Sequence, residues 1–400
     1  MLGMVLTAGG ARGAYQAGVL KRIGEIRALR GRPSPFAIVA GASAGAINGA
    51  MIAATSGDFS AGTQRLAQLW SDLSVDDVFR SDVYALGCGS LRWLRDLTLG
   101  GLLGGGTVQS LLDATPLRAH ISAHLPIEGI GQAIRDGHLY AVAVSATSYH
   151  SGKSYTFIQG KPGHPLWLKS RRVALAVQLT LDHVLASAAI PIVFPPVLVR
   201  SEVGECYYGD GGLRLVTPFS PAIRLGATRL FAIGIRCQGA ADALTRAELH
   251  VGEESHGGLE SIGRPPLAQI CGVFLNAIFL DHLDADLDHL RRMNDLISAN
   301  GHRTSTRRGR GTAVQEPMRR VDPFVLSPSA DLAIVAAAFA HKMPRAIRYV
   351  MDGLGTPDAQ SADLMSYLLF DSSYTRALID VGYNDAATRI DEIEAFLIGH

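Results

Sequence analysis

The sequence predicts an α/β fold with a mainly parallel central sheet. Two segments near the N-terminus, residues 2–29 and 36–55, each have the pattern of a buried strand, a glycine-bearing turn and a helix. Parallel strands are joined through such helices, so this order is typical of a βαβ unit. The 400-residue chain is 48% hydrophobic and 18% charged, which is enough apolar material for a large core.

The first of these units begins with an apolar strand and a short turn. Leu2 to Thr7 is a continuous apolar run, Ala8 to Gly13 contains the turn, and residues 14–29 carry apolar side chains at helical spacing. A βαβ crossover is right-handed and places both of its turns at the carboxyl-terminal edge of the sheet. We therefore expect Gly9 and Gly10 to lie beside the turn of the second unit.

In the second unit, a single hydroxyl stands between the strand and the helix. Residues 36–50 read FAIVAGASAGAINGA, with Ser43 at the turn. Gly41 and Gly45 remove side chains where strand and helix come close, which matches the G-x-S-x-G nucleophile elbow. A close-packed turn without any chemistry would favour the same small residues. Ser43 is the candidate nucleophile.

The glycine turn AGGARG offers a second group that ester chemistry needs. The backbone N–H groups of Gly9 and Gly10 can bind the oxyanion that forms during ester hydrolysis. Arg12 is the only charge in the turn, and we expect it either to fix the loop or to add positive potential. The alternative is a phosphate-binding turn at a helix N-terminus, although the G-x-G-x-x-G pattern fails at Ala8 and no P-loop lysine follows.

The remaining core follows from short apolar runs. Strands are predicted at residues 139–147, 154–159, 206–209, 228–235 and 321–326. A helix is predicted over 173–185. The proline-rich run that follows it, within residues 186–197, is predicted to be irregular and to line the sheet edge. The glycine-rich, apolar segment 81–106 suits either a flap beside an acyl-binding site or a buried loop.

An acid follows one of these strands directly. The strand at 206–209 ends in Asp210, and Gly211 and Gly212 let the backbone turn sharply and bring the carboxylate inward. In a partly desolvated pocket an aspartate can accept a serine proton directly. Asp210 is the candidate general base, and a purely structural Asp-Gly turn is the alternative. None of the 13 histidines has a setting that marks it as the base.

Together these residues resemble the patatin-like phospholipase family. The match follows the chain order over residues 1–235: the glycine turn with Arg12 and Gly13, the elbow at Ser43, the segment ASAAIPIVFPPV, and the DGG triplet at Asp210. In the family the turn usually opens with a further glycine, where this chain has alanine. The resemblance implies a three-layer α/β/α patatin-like fold, a Ser-Asp dyad without histidine, and metal-independent hydrolysis of lipid acyl esters. No cofactor and no metal are expected.

The expected activity is that of a serine acyl hydrolase of the phospholipase A or lysophospholipase type. One alternative is an α/β-hydrolase-type esterase with an unidentified histidine, but Ser43 follows only one earlier strand, whereas that fold builds several before its elbow. The other alternative is a non-catalytic lipid-binding scaffold. A scaffold has no need to keep both Ser43 and Asp210.

The expected domain organisation is a hydrolase domain at 1–330 and a helical C-terminal extension at 331–400. Within the first, the motif-bearing core covers 1–235, and a helical and arginine-rich insertion follows at about 238–320. Six arginines in residues 302–320 either contact anionic headgroups or a nucleotide-like regulator, or belong to a solvated loop.

Charge and cysteine content limit the partners and the compartment. The net charge of +1 gives no overall field toward nucleic acid, so a lipid ester is the expected partner, while contact with a membrane surface or micelle and a homo-oligomer are left open. The four dispersed cysteines are typical of reduced thiols. The N-terminus lacks a basic leader, and no run of about 20 apolar residues occurs. We expect a cytoplasmic protein that contacts membranes at most peripherally.

Overall fold

Nine strands of the described residues form one sheet at the centre of the structure. The computed structural model describes residues 1–80, 110, 112–201, 204–237, 282–300, 319–344, 348 and 362–399. The segment 81–106, interpreted as either a flap or a buried loop, lies outside the described residues. Of the predicted insertion at about 238–320, residues 238–281 and 301–318 also lie outside them. The strands are β1 (Leu2–Leu6), β2 (Ile38–Ala42), β3 (Ala141–Ser148), β4 (Ser154–Gly160), β5 (Arg172–Ala176), β6 (Val197–Ser201), β7 (Gly204–Gly209), β8 (Arg229–Ile233) and β9 (Asp322–Leu326).

The strand order is β5-β4-β3-β2-β1-β8-β9, with β7 paired to the end of β3 and β6 paired to β7. The five strands from β3 to β9 in this order are parallel to one another, and β4 is parallel to β5. The pairs β3–β4, β3–β7 and β6–β7 are antiparallel. All five residues of β1 are buried, as expected for a parallel strand covered on both faces.

Helices cover both faces of this sheet. The α-helices are α1 (Gly13–Gly24), α2 (Ala44–Ala54), α3 (Phe59–Ser71), α4 (Val75–Val78), α5 (Thr115–His124), α6 (Gly129–Arg135), α7 (Leu181–Ser187), α8 (Ser220–Leu225), α9 (His282–Asn300), α10 (Leu332–Ala338), α11 (Ala362–Leu368), α12 (Ser372–Thr388) and α13 (Ile390–Ile398). Met4 and Leu6 of β1 belong to the core shared with α1, α2, α3 and the C-terminal helices, whereas Val5 belongs to the core shared with α8 and α9. This alternation has the period of a strand and confirms the three-layer α/β/α prediction.

The register of the sheet brings three chain segments to one edge. β1 and β2 are parallel neighbours, with Leu6 opposite Gly41, so the turns after both strands lie together as predicted. β3 is the next neighbour of β2, and Ala42 pairs with Ser145. β7 joins the end of β3, and its last residue, Gly209, pairs with Thr147. Asp210, which follows Gly209, therefore lies at the same edge of the sheet as the two turns.

The predicted helix at 173–185 is wrong in its first half. Residues Arg172–Ala176 form β5, which pairs with β4 from Ser154 to Ile158. The helix α7 begins only at Leu181, because Thr180 caps it and its N–H donates to His183 Nδ1 at 3.1 Å. An apolar run of this length suits a strand or a helix equally well, and pairing with β4 decides between them.

The C-terminal helices share the main core with the sheet. Tyr15 Oη in α1 donates a hydrogen bond to Asp385 Oδ2 in α12 at 3.0 Å, and Thr375 Oγ1 donates to the carbonyl O of Trp70 at 2.7 Å. A helical C-terminal region is present, and the domain boundary at residue 330 stays a prediction. Among the described residues, none of the helices combines the length and the apolar character that crossing a membrane requires.

Candidate active site

The turn between β2 and α2 holds Ser43 in a strained backbone conformation. Ser43 has φ 55° and ψ −128°, a region that residues other than glycine rarely adopt. A Cβ at Gly41 would collide with the carbonyl O of Gly45, and one at Gly45 would collide with the carbonyl O of Leu6. The elbow therefore needs glycine at both of these positions, as the sequence pattern predicts.

The Ser43 hydroxyl contacts the predicted acid directly. Ser43 Oγ donates a hydrogen bond to Asp210 Oδ2 at 2.6 Å, and both side chains are buried. The other carboxylate oxygen, Oδ1, accepts from the N–H of Gly212 at 2.7 Å. The carbonyl O of Asp210 accepts from Thr147 Oγ1 at 2.8 Å, and a Cβ at Gly211 would collide with backbone of β3. These contacts fix the carboxylate at the end of β7 with one oxygen facing the elbow.

Burial sets the acidity of this carboxyl group. Desolvation raises the pKa of Asp210 to about 7, although the hydrogen bonds from Ser43 and Gly212 stabilise the charged form and act in the opposite direction. A carboxyl group with this pKa can both accept and return a proton near neutral pH.

The glycine turn lies beside the elbow. Gly10 has φ +53°, and the N–H of Arg12 donates to the carbonyl O of Gly9 at 3.0 Å. No described residue accepts a hydrogen bond from the N–H of Gly9 or Gly10. A Cβ at Gly13 would lie 2.7 Å from the Cβ of Ala44, so the turn packs closely on the start of α2. The turn thus supplies two backbone donors at the edge where Ser43 lies.

Residues 4–223 match the family model described as Patatin-like phospholipase, which is more than half of the chain. The chain belongs to the patatin-like phospholipase family. Similar solved structures include human GIVD cytosolic phospholipase A2 in complex with methyl gamma-linolenyl fluorophosphonate (11% identity, 97% of this chain, 60% of that chain, TM-score 0.35). VipD from Legionella pneumophila (12% identity, 94% and 66% coverage, TM-score 0.30) and the type III effector protein ExoU (14%, 91% and 76%, TM-score 0.24) are also similar. No curated protein matches the sequence.

The family match leaves part of each chain unaccounted for. This patatin-like chain spans 66% of the length of VipD and 60% of the human phospholipase structure. The family model ends at residue 223. The strands β8 and β9 and the helices α9 to α13 therefore lie beyond the part of the chain that defines the family.

Arg12 points to the C-terminal helices of this patatin-like protein. Its side chain is buried, its Nε donates to Ser366 Oγ at 2.8 Å, and its Nη2 donates to Asp363 Oδ1 at 2.9 Å. The guanidinium carbon lies 4.4 Å from the centroid of the Tyr367 ring. Of the two roles expected for Arg12, these contacts support the fixing of the loop.

Ser187 is a residue of the site to which the sequence assigns no role. The N–H of Ser43 donates to Ser187 Oγ at 2.9 Å, and that hydroxyl donates to the carbonyl O of Ser145 at 2.5 Å. Ser187 is fully buried at the end of α7, within the ASAAIPIVFPPV segment. It therefore holds the backbone of the strained elbow against β3. In the sequence Ser187 stands out only as a hydroxyl between two alanines. A small residue of a packed helix without any role in the site would look the same.

A second buried network joins the elbow helix to the glycine turn. Asn48 Nδ2 donates to the carbonyl O of Gly13 at 3.0 Å and to Gln16 Oε1 at 2.9 Å. The indole N–H of Trp70 donates to Asn48 Oδ1 at 2.7 Å. Gln16 Nε2 continues the network to the carbonyl O of Thr7 at 3.0 Å. Buried polar groups that are satisfied in this way fix the relative position of the two turns.

A narrow apolar cavity of about 30 Å³ opens at Gly10 and Ser43. Its apolar lining includes Ile47, Trp70, Leu117, Ile190, Phe194 and Phe370. A wider pocket of about 310 Å³ lies next to it and shares Leu117, Ala188 and Phe194 as lining residues. Phe194 is buried, so its ring forms part of the wall between the two spaces. An apolar lining of this kind suits the hydrocarbon part of an ester.

Among the described residues, no histidine forms a hydrogen bond with Ser43 or Asp210. His183 is buried in α7, where its Nδ1 accepts from the N–H of Thr180 at 3.1 Å. Burial lowers the pKa of His183 to about 4, so the ring is neutral at physiological pH. This histidine caps a helix and takes no part in the contacts of the elbow.

Proposed function

We propose that this protein is a lipid acyl hydrolase of the phospholipase A or lysophospholipase type, with Ser43 as nucleophile and Asp210 as general base. The observation that carries the proposal is the 2.6 Å hydrogen bond from the buried Ser43 hydroxyl, at a strained elbow, to a carboxylate whose pKa burial raises to about 7. Membership of the patatin-like phospholipase family supports it. The apolar side chains beside Ser43, together with the adjoining 310 Å³ pocket, support a lipid acyl ester as the substrate.

The first half of the reaction forms an acyl-enzyme. Asp210 accepts the proton of the Ser43 hydroxyl while Oγ forms a bond to the ester carbonyl carbon. The carbonyl oxygen becomes an oxyanion, which the N–H groups of Gly9 and Gly10 bind. When the bond to the leaving alcohol breaks, Asp210 returns its proton to the departing oxygen.

The second half releases the fatty acid. Asp210, again ionised, accepts a proton from a water molecule while the water oxygen attacks the acyl carbon. The same two N–H groups bind the second oxyanion. The bond between the acyl carbon and Oγ then breaks, and the proton on Asp210 returns to Ser43. The donors bind charge that exists only in the transition states and intermediates, so they accelerate the reaction without tightening substrate binding.

Ester turnover by matched variants tests this proposal. Ser43→Ala and Asp210→Asn each abolish turnover of a short-chain p-nitrophenyl ester, while both proteins remain folded by circular dichroism. Ser56→Ala is the serine control, because Ser56 is also buried but donates to the carbonyls of Ile52 and Ala53 at the end of α2. Asp286→Asn is the carboxylate control, because buried Asp286 accepts from the N–H of Phe219 on the opposite face of the sheet. Both controls keep their activity.

Two further readouts identify the base and the substrate. Because only ionised Asp210 accepts the proton, kcat/KM of the wild-type protein rises with pH through about 7. A panel of phospholipids, lysophospholipids and glycerides, analysed by mass spectrometry with Ser43→Ala as the blank, identifies the lipid that is cleaved. Full activity in either dyad variant contradicts the dyad, and no fatty acid released from any lipid favours a binding scaffold.

A further inference from the structure

Helix α11, which lies beyond the residues that match the family model, is in direct contact with the glycine turn. The carbonyl O of Tyr367 lies only 2.5 Å from the place that a Cβ of Gly10 would take. Gly10 also has a positive φ of +53°, which favours glycine on its own account. The turn can therefore take its conformation next to α11 only because residue 10 has no side chain.

Arg12 joins the same turn to α11 through its side chain. Nε donates to Ser366 Oγ and Nη2 donates to Asp363 Oδ1, and the guanidinium lies over the ring of Tyr367. Arg12 is 2% exposed, so its charge has little contact with water. A buried cation is tolerated only where anionic and polar acceptors compensate for its lost hydration. The described acceptors of its side-chain hydrogen bonds are both on α11.

The helix itself is anchored to the rest of the protein. Tyr374 Oη donates to the carbonyl O of Ser366 and to that of Leu332, each at 3.3 Å. Thr375 Oγ1 donates to the carbonyl O of Trp70, whose ring in turn packs against Gly13. The contacts thus run in a closed path from the turn through α11 and α12 to α3 and back to the turn.

The same helix borders the reaction space. Leu364, Tyr367 and Leu368 line a small cavity of about 10 Å³ together with Gly10 and Ser43. α11 therefore contacts the glycine turn on one side and faces the space around the nucleophile on the other.

We propose that α11 is a positioning element of the active site: Asp363 and Ser366 hold Arg12, and through it they fix the N–H groups of Gly9 and Gly10 relative to Ser43. This inference rests on the proposed function, because it assigns these N–H groups to the oxyanion. Asp363 and Ser366 act through Arg12 and do not touch the substrate.

The expected kinetic effect is specific. Oxyanion donors act on the transition state, so a misplaced turn lowers kcat and leaves KM nearly unchanged. The double variant Asp363→Ala/Ser366→Ala removes both acceptors, and its kcat on a short-chain p-nitrophenyl ester falls roughly 10- to 100-fold. The single variant Asp363→Glu keeps Ser366 and a carboxylate at the same partly exposed position, so it has most of the wild-type activity.

The matched control removes a different tether of the C-terminal helices. Tyr383 Oη in α12 donates to Glu25 Oε2 at 2.6 Å, at the far end of α1 from the glycine turn. Tyr383→Phe lowers stability but keeps kcat within about twofold, since it leaves α11 and Arg12 in place. A folded double variant with wild-type kcat, or an equal loss of kcat in Tyr383→Phe, overturns the proposal.

Hydrogen exchange tests the same proposal without catalysis. In the wild-type protein, exchange of the backbone amides in residues 8–13 is followed by mass spectrometry and compared with both variants. We expect faster exchange of this turn in the double variant and unchanged exchange in Tyr383→Phe. Unchanged exchange in the double variant refutes the positioning role, whether or not the wild type hydrolyses esters. If the double variant does not fold, Asp363→Asn, which keeps the side-chain volume but loses the charge, is measured in the same two ways.

Discussion

The buried carboxyl group of Asp210 makes the stability of this protein depend on pH. Its pKa is raised from 3.8 to about 7, so the folded protein holds this proton at pH values where the unfolded chain has released it. Stability that is fully present below about pH 4 is therefore lost as pH rises through 7. Asp210→Asn replaces the carboxyl group by a neutral amide of the same shape, which removes this dependence.

The size of the effect follows from the shift of the pKa. A difference of about 3 pH units corresponds to about 4 kcal/mol of unfolding free energy above pH 8. Between pH 5 and pH 8 the expected loss is about 3 kcal/mol, because part of the loss already occurs below pH 5. Asp210 is fully buried, so solvent screening does not reduce this contribution.

Urea unfolding of the wild type and of Asp210→Asn at pH 5 and at pH 8 measures this quantity. Other groups, such as Asp286, whose pKa burial raises to about 6, titrate in both proteins and cancel in the difference. The advantage of the Asn variant over the wild type grows by about 3 kcal/mol from pH 5 to pH 8. Ser43→Ala keeps the carboxyl group but loses a bond that stabilises its charge, so its dependence on pH is at least as steep as that of the wild type. Parallel stability curves for the wild type and Asp210→Asn would refute the reasoning.

Two further substitutions test the elbow and the cavity. Ser187→Ala leaves the N–H of Ser43 and the carbonyl O of Ser145 without their buried partner. We expect the free energy of unfolding in urea to fall by about 1–3 kcal/mol and kcat to fall by a larger factor than KM rises. An unchanged kcat would mean that the elbow holds its conformation without this hydroxyl. Phe194→Ala removes part of the wall between the 30 Å³ cavity and the 310 Å³ pocket, so kcat/KM for long-chain p-nitrophenyl esters increases relative to short-chain ones; the same chain-length profile in both proteins would contradict this role.

Local sequence patterns were sufficient to predict the parts of the site that depend on backbone geometry. The spacing of Gly41, Ser43 and Gly45 predicts a tight elbow, because only glycine fits where strand and helix approach. The acid at the end of a short strand, followed by two glycines, predicts a carboxylate that turns inward. Since the parallel strands β1 and β2 end at one edge of the sheet, topology predicts that the glycine turn lies beside Ser43. Asp210 reaches this edge differently, because β7 is antiparallel to β3 and pairs only with its last residues, and there it is in hydrogen-bond contact with Ser43.

Contacts between segments that are distant in the sequence could not be predicted from local patterns. The apolar run at 173–185 has the composition of a helix or of a strand, and only the neighbouring β4 selects the strand. Ser187 is one small residue among alanines, and its role depends on the positions of Ser43 and Ser145, which are separated from it by 144 and 42 residues along the chain.

The partner of Arg12 is a contact that local sequence patterns could not predict. The structure buries the side chain of Arg12, and a buried cation requires an acceptor nearby. The chain contains 36 acidic residues, and nothing in the local sequence distinguishes the one that compensates this charge. The fold selects Asp363, 351 residues away, because α12 packs along α1 and carries α11 to the turn. Electrostatics thus predicts that Arg12 has an acidic or polar partner, and tertiary packing decides which residue it is. That residue is on α11, a helix outside the family match that lies against the predicted oxyanion turn.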